Sequence, residues 1–81
     1  MSTSVTKTAA HARVSQVWFD KDMIHVRLED GREVSAPLEW FPTLRDATKA
    51  QRENWRLIGK GVGIRWEELD EDISVSGLLK P

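Results

Sequence analysis

Residues 55–66 read Trp-Arg-Leu-Ile-Gly-Lys-Gly-Val-Gly-Ile-Arg-Trp. Two short apolar, β-prone runs flank Gly59, Gly61 and Gly63, and a tryptophan closes each end. The pattern predicts a hairpin, residues 55–58 against 64–66, that closes the core of a small fold. Ile64 and Trp66 alternate along the second strand and therefore share a face, which makes Trp66 the expected centre of the core. Gly61 and Gly63 fall on the other face, where glycines leave room for a close neighbour. Trp40 or Trp55 is the neighbour expected there. The stretch lacks the Gly-Lys-Ser/Thr ending of a phosphate loop, and its glycine spacing is not the dinucleotide fingerprint.

Downstream, five of the six residues 67–72 are acidic. Asp70 is expected to cap the turn that follows, with the other carboxylates solvated or paired to Arg52, Arg56 and Arg65. Leu69, Ile73, Val75, Leu78 and Leu79 supply the last core residues. Ser74 can cap a final helical turn that docks Leu78 and Leu79 at the sheet edge. Upstream, Thr48 and Gln51 form a capping box, so a short helix starts there and ends near Asn54. Ala47, Ala50 and Asn54 are its expected sheet-facing positions. Before it, Leu38, Trp40, Phe41 and Leu44 make an apolar cluster interrupted by Pro42.

The N-terminal half reads as a three-stranded antiparallel meander. Val14–Phe19 and Met23–Leu28 are rich in β-branched and aromatic residues, with Asp20-Lys21-Asp22 as the turn between them. The next turn, Glu29-Asp30-Gly31, allows two registers. A two-residue loop pairs Val26 with Ser35 and puts polar groups in the core. A three-residue loop with left-handed Gly31 pairs Val26 with Val34 and Ile24 with Ala36. Because a one-residue slip flips every side chain, the apolar pattern selects the longer loop. The predicted buried face is Val17, Phe19, Ile24, Val26, Leu28, Val34 and Ala36. Pro37 ends the third strand, since it has no N–H for the ladder.

These elements make an α+β fold: one small domain, residues 13–81, with a meander, a short central helix and a C-terminal hairpin, preceded by a disordered tail at residues 1–12. The chain of 81 residues is too short for two domains. Its 0 cysteines exclude a disulfide framework, a thiolate zinc site and a thiol nucleophile, and they suit the cytoplasm. No segment is long and apolar enough to be a membrane helix, and the first residues lack a signal peptide's apolar run. Net charge is −1, so no global basic field draws the protein to nucleic acid. Locally the balance differs: residues 41–66 carry six Lys/Arg against two acids, just before the acidic run.

Chemistry-bearing residues are few. There is no Tyr and no Cys. His11 falls in the tail, and His25 is a lone imidazole with no evident partner to orient it as a base. The acidic run has no cation-loop spacing. Hence no catalytic residue, metal site or cofactor is expected. Binding is the better use of the polar sheet face, where Trp18, His25, Arg27 and Met23 lie opposite the core, because exposed Trp and Arg are frequent interface anchors. Arg52, Arg56 and Lys60 join them as candidate partner-binding residues. The same cations, with Arg45 and Lys49, are what a nucleic-acid-associated regulator would use, the less favoured alternative. The β-sheet edge also offers a route to a homodimer.

The blocks Asp30-Gly31-Arg32, Trp40-Phe41-Pro42-Thr43-Leu44, Gln51-Arg52-Glu53-Asn54-Trp55, Gly61-Val62-Gly63-Ile64-Arg65-Trp66 and Leu69-Asp70-Glu71-Asp72-Ile73 resemble those of a bacterial family catalogued as domain of unknown function, number 2442. The resemblance spans Arg13 to Leu79. Lys49 departs from it, where the family often has proline. It implies a small α+β domain with no assigned activity, and a small protein partner from an adjacent gene, as in toxin–antitoxin-like modules.

Overall fold

The computed structural model describes residues 13–79, so the expected tail and its His11 lie outside the described residues. β1 (Val14–Phe19), β2 (Met23–Leu28) and β3 (Glu33–Pro37) form an antiparallel meander in the order β1-β2-β3. Its second turn is the three-residue loop: Gly31 has φ 95°, Gly31 N–H donates to Leu28 O at 2.9 Å, and Leu28 N–H donates to Arg32 O at 2.8 Å. Val26 consequently faces Val34 and Ile24 faces Ala36, the register the apolar pattern selects. Pro37 falls opposite Met23. Counting alternate pairs from the Leu28–Arg32 bond makes that a non-hydrogen-bonded position, where the missing N–H costs the β2–β3 ladder nothing.

One meander core residue escaped the sequence. The β1–β2 register shifts between Val14 and Gln16. This bulge returns Val14 to the face of Val17, and Val14 is only 2% exposed. Period-two reading of β1 would have placed the two valines on opposite faces.

After a 3₁₀ turn at Leu38–Trp40 come two single-turn helices, α1 (Pro42–Arg45) and α2 (Lys49–Glu53). Both arms of the Thr48–Gln51 capping box are present, Gln51 N–H to Thr48 Oγ1 at 3.1 Å and Thr48 N–H to Gln51 Oε1 at 2.9 Å. The expected sheet-facing positions need correction: Ala50 and Asn54 are exposed, and α2 buries none of its residues. A helix of one turn has too little apolar surface to dock by a stripe, and this one is held through Arg52 instead. Trp40, expected in the apolar cluster, is 65% exposed, while Leu38 and Leu44 enter the core.

The predicted hairpin forms from β4 (Arg56–Ile58) and β5 (Gly63–Trp66), but it gains a third strand, β6 (Glu71–Ser74), in the order β4-β5-β6. Nothing in the residues themselves signals β6, because carboxylates are poor strand formers. Its acids are tolerated at an edge, and the outward one, Asp72, lies opposite Arg65 with a 3.2 Å ion pair. Asp70 does not cap the following segment; it takes φ 51° in the β5–β6 turn and binds Arg65 at 2.7 Å. The glycines serve a different neighbour from the one expected. Gly61, at φ 92°, lies against Arg13, where an added Cβ would meet the Arg13 Cβ at 3.2 Å, and Gly63 lies against Ile58. Neither Trp40 nor Trp55 approaches them most closely. Helix α3 (Val75–Leu79) ends the described chain, with Gly77 N–H on Ser74 Oγ at 3.0 Å, and packs on β3.

The two sheets share one core that includes Ile24, Val26, Leu28, Leu44, Ile64, Ile73 and Trp66. Trp66 is 0% exposed. Its ring meets Phe19 edge-on with centroids 6.3 Å apart, and its indole N–H donates to Arg52 O at 2.9 Å. That bond ties α2 to the core in place of a buried helix stripe.

Candidate functional site

Trp18 and His25 are cross-strand neighbours on the meander face away from the core. Their rings stack with centroids 5.4 Å apart and planes 19° apart. The Arg27 guanidinium lies 5.6 Å from the Trp18 ring centre and donates through Nε to Glu33 at 3.1 Å. The structure thus brings together three of the candidate residues, Trp18, His25 and Arg27.

His25 is not the unpartnered imidazole the sequence suggested. Its Nε2 lies 2.8 Å from Asp20 Oδ2 and its Nδ1 lies 2.7 Å from Ser35 Oγ. The other Asp20 oxygen accepts the N–H groups of Asp22 and Met23, each at 2.9 Å. The bond from His25, then that from the Asp22 N–H, hold the Asp20 carboxyl below its ordinary pKa. Ionised Asp20 can only accept, so in the neutral ring Nε2 carries the proton and Nδ1 accepts from Ser35. The β1–β2 turn and the β2–β3 register bring these three residues together across three strands, at a sequence spacing that no local motif would flag.

Beside this face, at the outer edge of β1, a cavity of about 500 Å³ opens between β1 and α2. Residues 16–21 form one wall, and Lys49, Arg52, Glu53 and Trp55 the other. The hydrogen-bond alternation of the meander decides what β1 presents there. Asp20 N–H donates to Met23 O at 3.1 Å, so Asp20, Trp18 and Gln16 direct their backbone groups to β2. Val17 and Phe19 direct theirs outward, and among the described residues these groups have no hydrogen-bond partner.

The remaining candidates behave differently from one another. Arg52 lines the cavity, but its guanidinium is engaged with the carbonyls of Leu44 at 2.8 Å and Arg45 at 2.6 Å and lies 5.6 Å from the Phe19 ring. It binds none of the acidic run. Arg56 is paired to Glu67, which pulls that carboxyl below its ordinary pKa. Lys60 sits at the left-handed apex of the β4–β5 turn, with φ 62°, away from the cavity. Of the other cations, Arg45 pairs with Glu39 and Asp46, and Arg65 with Glu67, Asp70 and Asp72. The acidic run is therefore largely occupied by arginines. Among the described residues no three His, Asp or Glu side chains converge as metal ligands, and no helix is long and apolar enough to cross a membrane.

Sequence reading missed Lys21, Lys49, Glu53 and Trp55 as cavity residues. No one-dimensional signal could have found them, because the cavity exists only where α2 stands off the outermost strand.

Residues 14–81 match a family described as protein of unknown function (DUF2442). A crystal structure of a protein of unknown function from Rhodospirillum rubrum ATCC 11170 is similar at 30% identity and TM-score 0.71, covering 84% of each chain. A solution NMR structure of an uncharacterized protein from Chromobacterium violaceum is similar at 24% identity and TM-score 0.73, covering 96% of this chain and 73% of that one. The second likeness concerns the fold alone. No curated protein matches the chain.

Proposed function

The chain belongs to the DUF2442 family, and from that premise we propose that it is a non-catalytic protein-interaction module, the partner subunit of a small two-protein system. The observation that carries this reading is the edge of β1, unpaired among the described residues, opening onto a cavity of about 500 Å³ with Trp18 and Trp55 in its walls. Ligand sites span about 300–1,000 Å³ and are lined by aromatic groups with a few polar ones. Trp and Arg are enriched among the residues that dominate interface energies. Trp18 with Arg27 stacked on it is such a pair. The lack of cysteine suits a reducing compartment, and we place the protein in the cytoplasm on that ground.

Ser35, His25 and Asp20 do form the hydrogen-bond chain that a serine nucleophile requires. Asp20 lines the cavity, but Ser35 is two strands away and does not, so the cavity does not present a substrate to its hydroxyl. We read the hydrogen-bond chain as a brace that orients His25 under Trp18. Covalent labelling of Ser35 by a fluorophosphonate would overturn the non-catalytic reading. The nucleic-acid alternative has less support, since Arg45, Arg56 and Arg65 are already paired to acids. Phosphate-driven binding should show a steep salt dependence, and none is expected with duplex DNA or RNA.

The product of the adjacent gene should co-purify with the tagged protein and raise its melting temperature. Failure of both removes the interaction-module reading.

A further inference from the structure

The sheet edges are not equally protected. The β3 edge carries Pro37 and is packed by α3. β4 and β6 are short, with three and four residues, and β6 is acidic. Short strands, prolines and charges are the usual means of blunting an edge. β1 is six residues long, has neither proline nor charge, and among the described residues is protected only at its start by the bulge near Ser15. The outward N–H and C=O groups of Val17 and Phe19 are two residues apart, the repeat at which an incoming strand makes its ladder bonds.

We infer that the free edge of β1 accepts an extended, acidic segment of a partner protein as an added β-strand, seated between β1 and α2. The inference rests on the interaction-module reading and specifies the chemistry of the partner. Main-chain bonds to Val17 and Phe19 supply register, as in other cases of strand addition. Phe19, Trp18 and Trp55 supply apolar surface beside them. Charge selects the occupant. Lys21 and Lys49 line the cavity and make no ion pair among the described residues, whereas Asp20 is engaged by His25. Glu53 is the other acid in the wall, so cations exceed acids there once Arg52 is counted. A second copy is the poorer occupant. Its β1, Val-Ser-Gln-Val-Trp-Phe, brings no carboxylate to meet Lys21 and Lys49.

The test uses the full chain, ¹⁵N-labelled, titrated with acetyl-Val-Glu-Val-Glu-Val-Glu-amide and with its lysine counterpart. The glutamate peptide should shift the Val17 and Phe19 amides and the indoles of Trp18 and Trp55, and slow hydrogen exchange at both amides. The double variant Lys21→Glu, Lys49→Glu should bind it at least about fivefold more weakly, since two exposed charges are each reversed. Equal binding of the lysine peptide overturns the inference, as do shifts centred on Trp40 or Leu57, or none at millimolar peptide. Concentration-dependent dimerisation in the ultracentrifuge, abolished by Trp18→Lys, assigns the edge to a second copy and also overturns it. An adjacent-gene product that binds the double variant undiminished overturns this inference alone and leaves the interaction-module reading standing. No response to that product or to either peptide overturns this inference and the interaction-module reading together.

Discussion

Trp66 and Trp18 stand on opposite sides of the same meander. Trp66 is 0% exposed, capped by Phe19, with its N–H on a backbone carbonyl. Trp18 is half-buried, and its company is an imidazole and a guanidinium that are themselves tied to carboxylates. A tryptophan surrounded by aliphatic side chains can only contribute to folding. One that rests on oriented polar groups keeps a face available, and those groups hold its rotamer without covering it. The difference between the two tryptophans lies in their neighbours, which two strands and a turn decide.

The sharpest attack on that contrast is Trp66→Ala. Truncating a buried tryptophan costs about 3–5 kcal/mol, against a total of about 5–15 kcal/mol for a small domain. Thermal melts followed by circular dichroism should show a largely unfolded protein or a drop of tens of degrees. Thr48→Ala comes next. It removes the Thr48 Oγ1 that accepts the Gln51 N–H, while the backbone arm from Thr48 N–H to Gln51 stays, and should cost about 1 kcal/mol in urea denaturation, loosening the α2 wall of the cavity and the Arg52 carbonyl that Trp66 uses. Trp18→Ala should be far milder than Trp66→Ala, since the Trp18 ring is only half-buried, yet it should weaken partner binding far more than Thr48→Ala does. If Trp18→Ala proves more damaging to stability than Trp66→Ala, the two faces have been exchanged.

The smallest effect is one of pH. Asp20 has its pKa lowered by His25 and by backbone N–H groups. A depressed carboxyl adds stability that is fully present above its unfolded value, about 3.9, and lost as pH falls through the folded value below it. Glu67, held down by Arg56, acts in the same direction. Urea midpoints should therefore be level near neutrality and decline below about pH 4. Asp20→Asn should flatten part of that decline and leave the Trp66 environment, read by fluorescence, unchanged.

Much of the molecule was legible before any fold was known, and for local reasons. The Glu29-Asp30-Gly31 loop was decided by two alternatives that put opposite faces in the core. The Thr48–Gln51 box is a motif whose donors and acceptors lie within one turn. Trp66 followed from alternation within β5. The failures share a cause of the other kind. β6 is a strand because Ile73 completes the face of Ile64, although its acids argue against one. Val14 is buried because a bulge resets the period of β1. Trp40 is exposed although its neighbours Leu38 and Leu44 are not.

The candidate site divides along the same line. Trp18, His25 and Arg27 were placed on one face by strand alternation and register alone, and so their proximity belongs to the sequence. The bonds from His25 to Asp20 and Ser35 needed both meander turns to close at particular lengths. The cavity needed more: an outermost strand, a one-turn helix held off it by Arg52 and Trp66, and lysines arriving from two distant segments. Periodicity determines which way a side chain points, because it is a property of a single strand. What lies beside an unpaired edge depends on the path of the rest of the chain, and only the tertiary structure decides that.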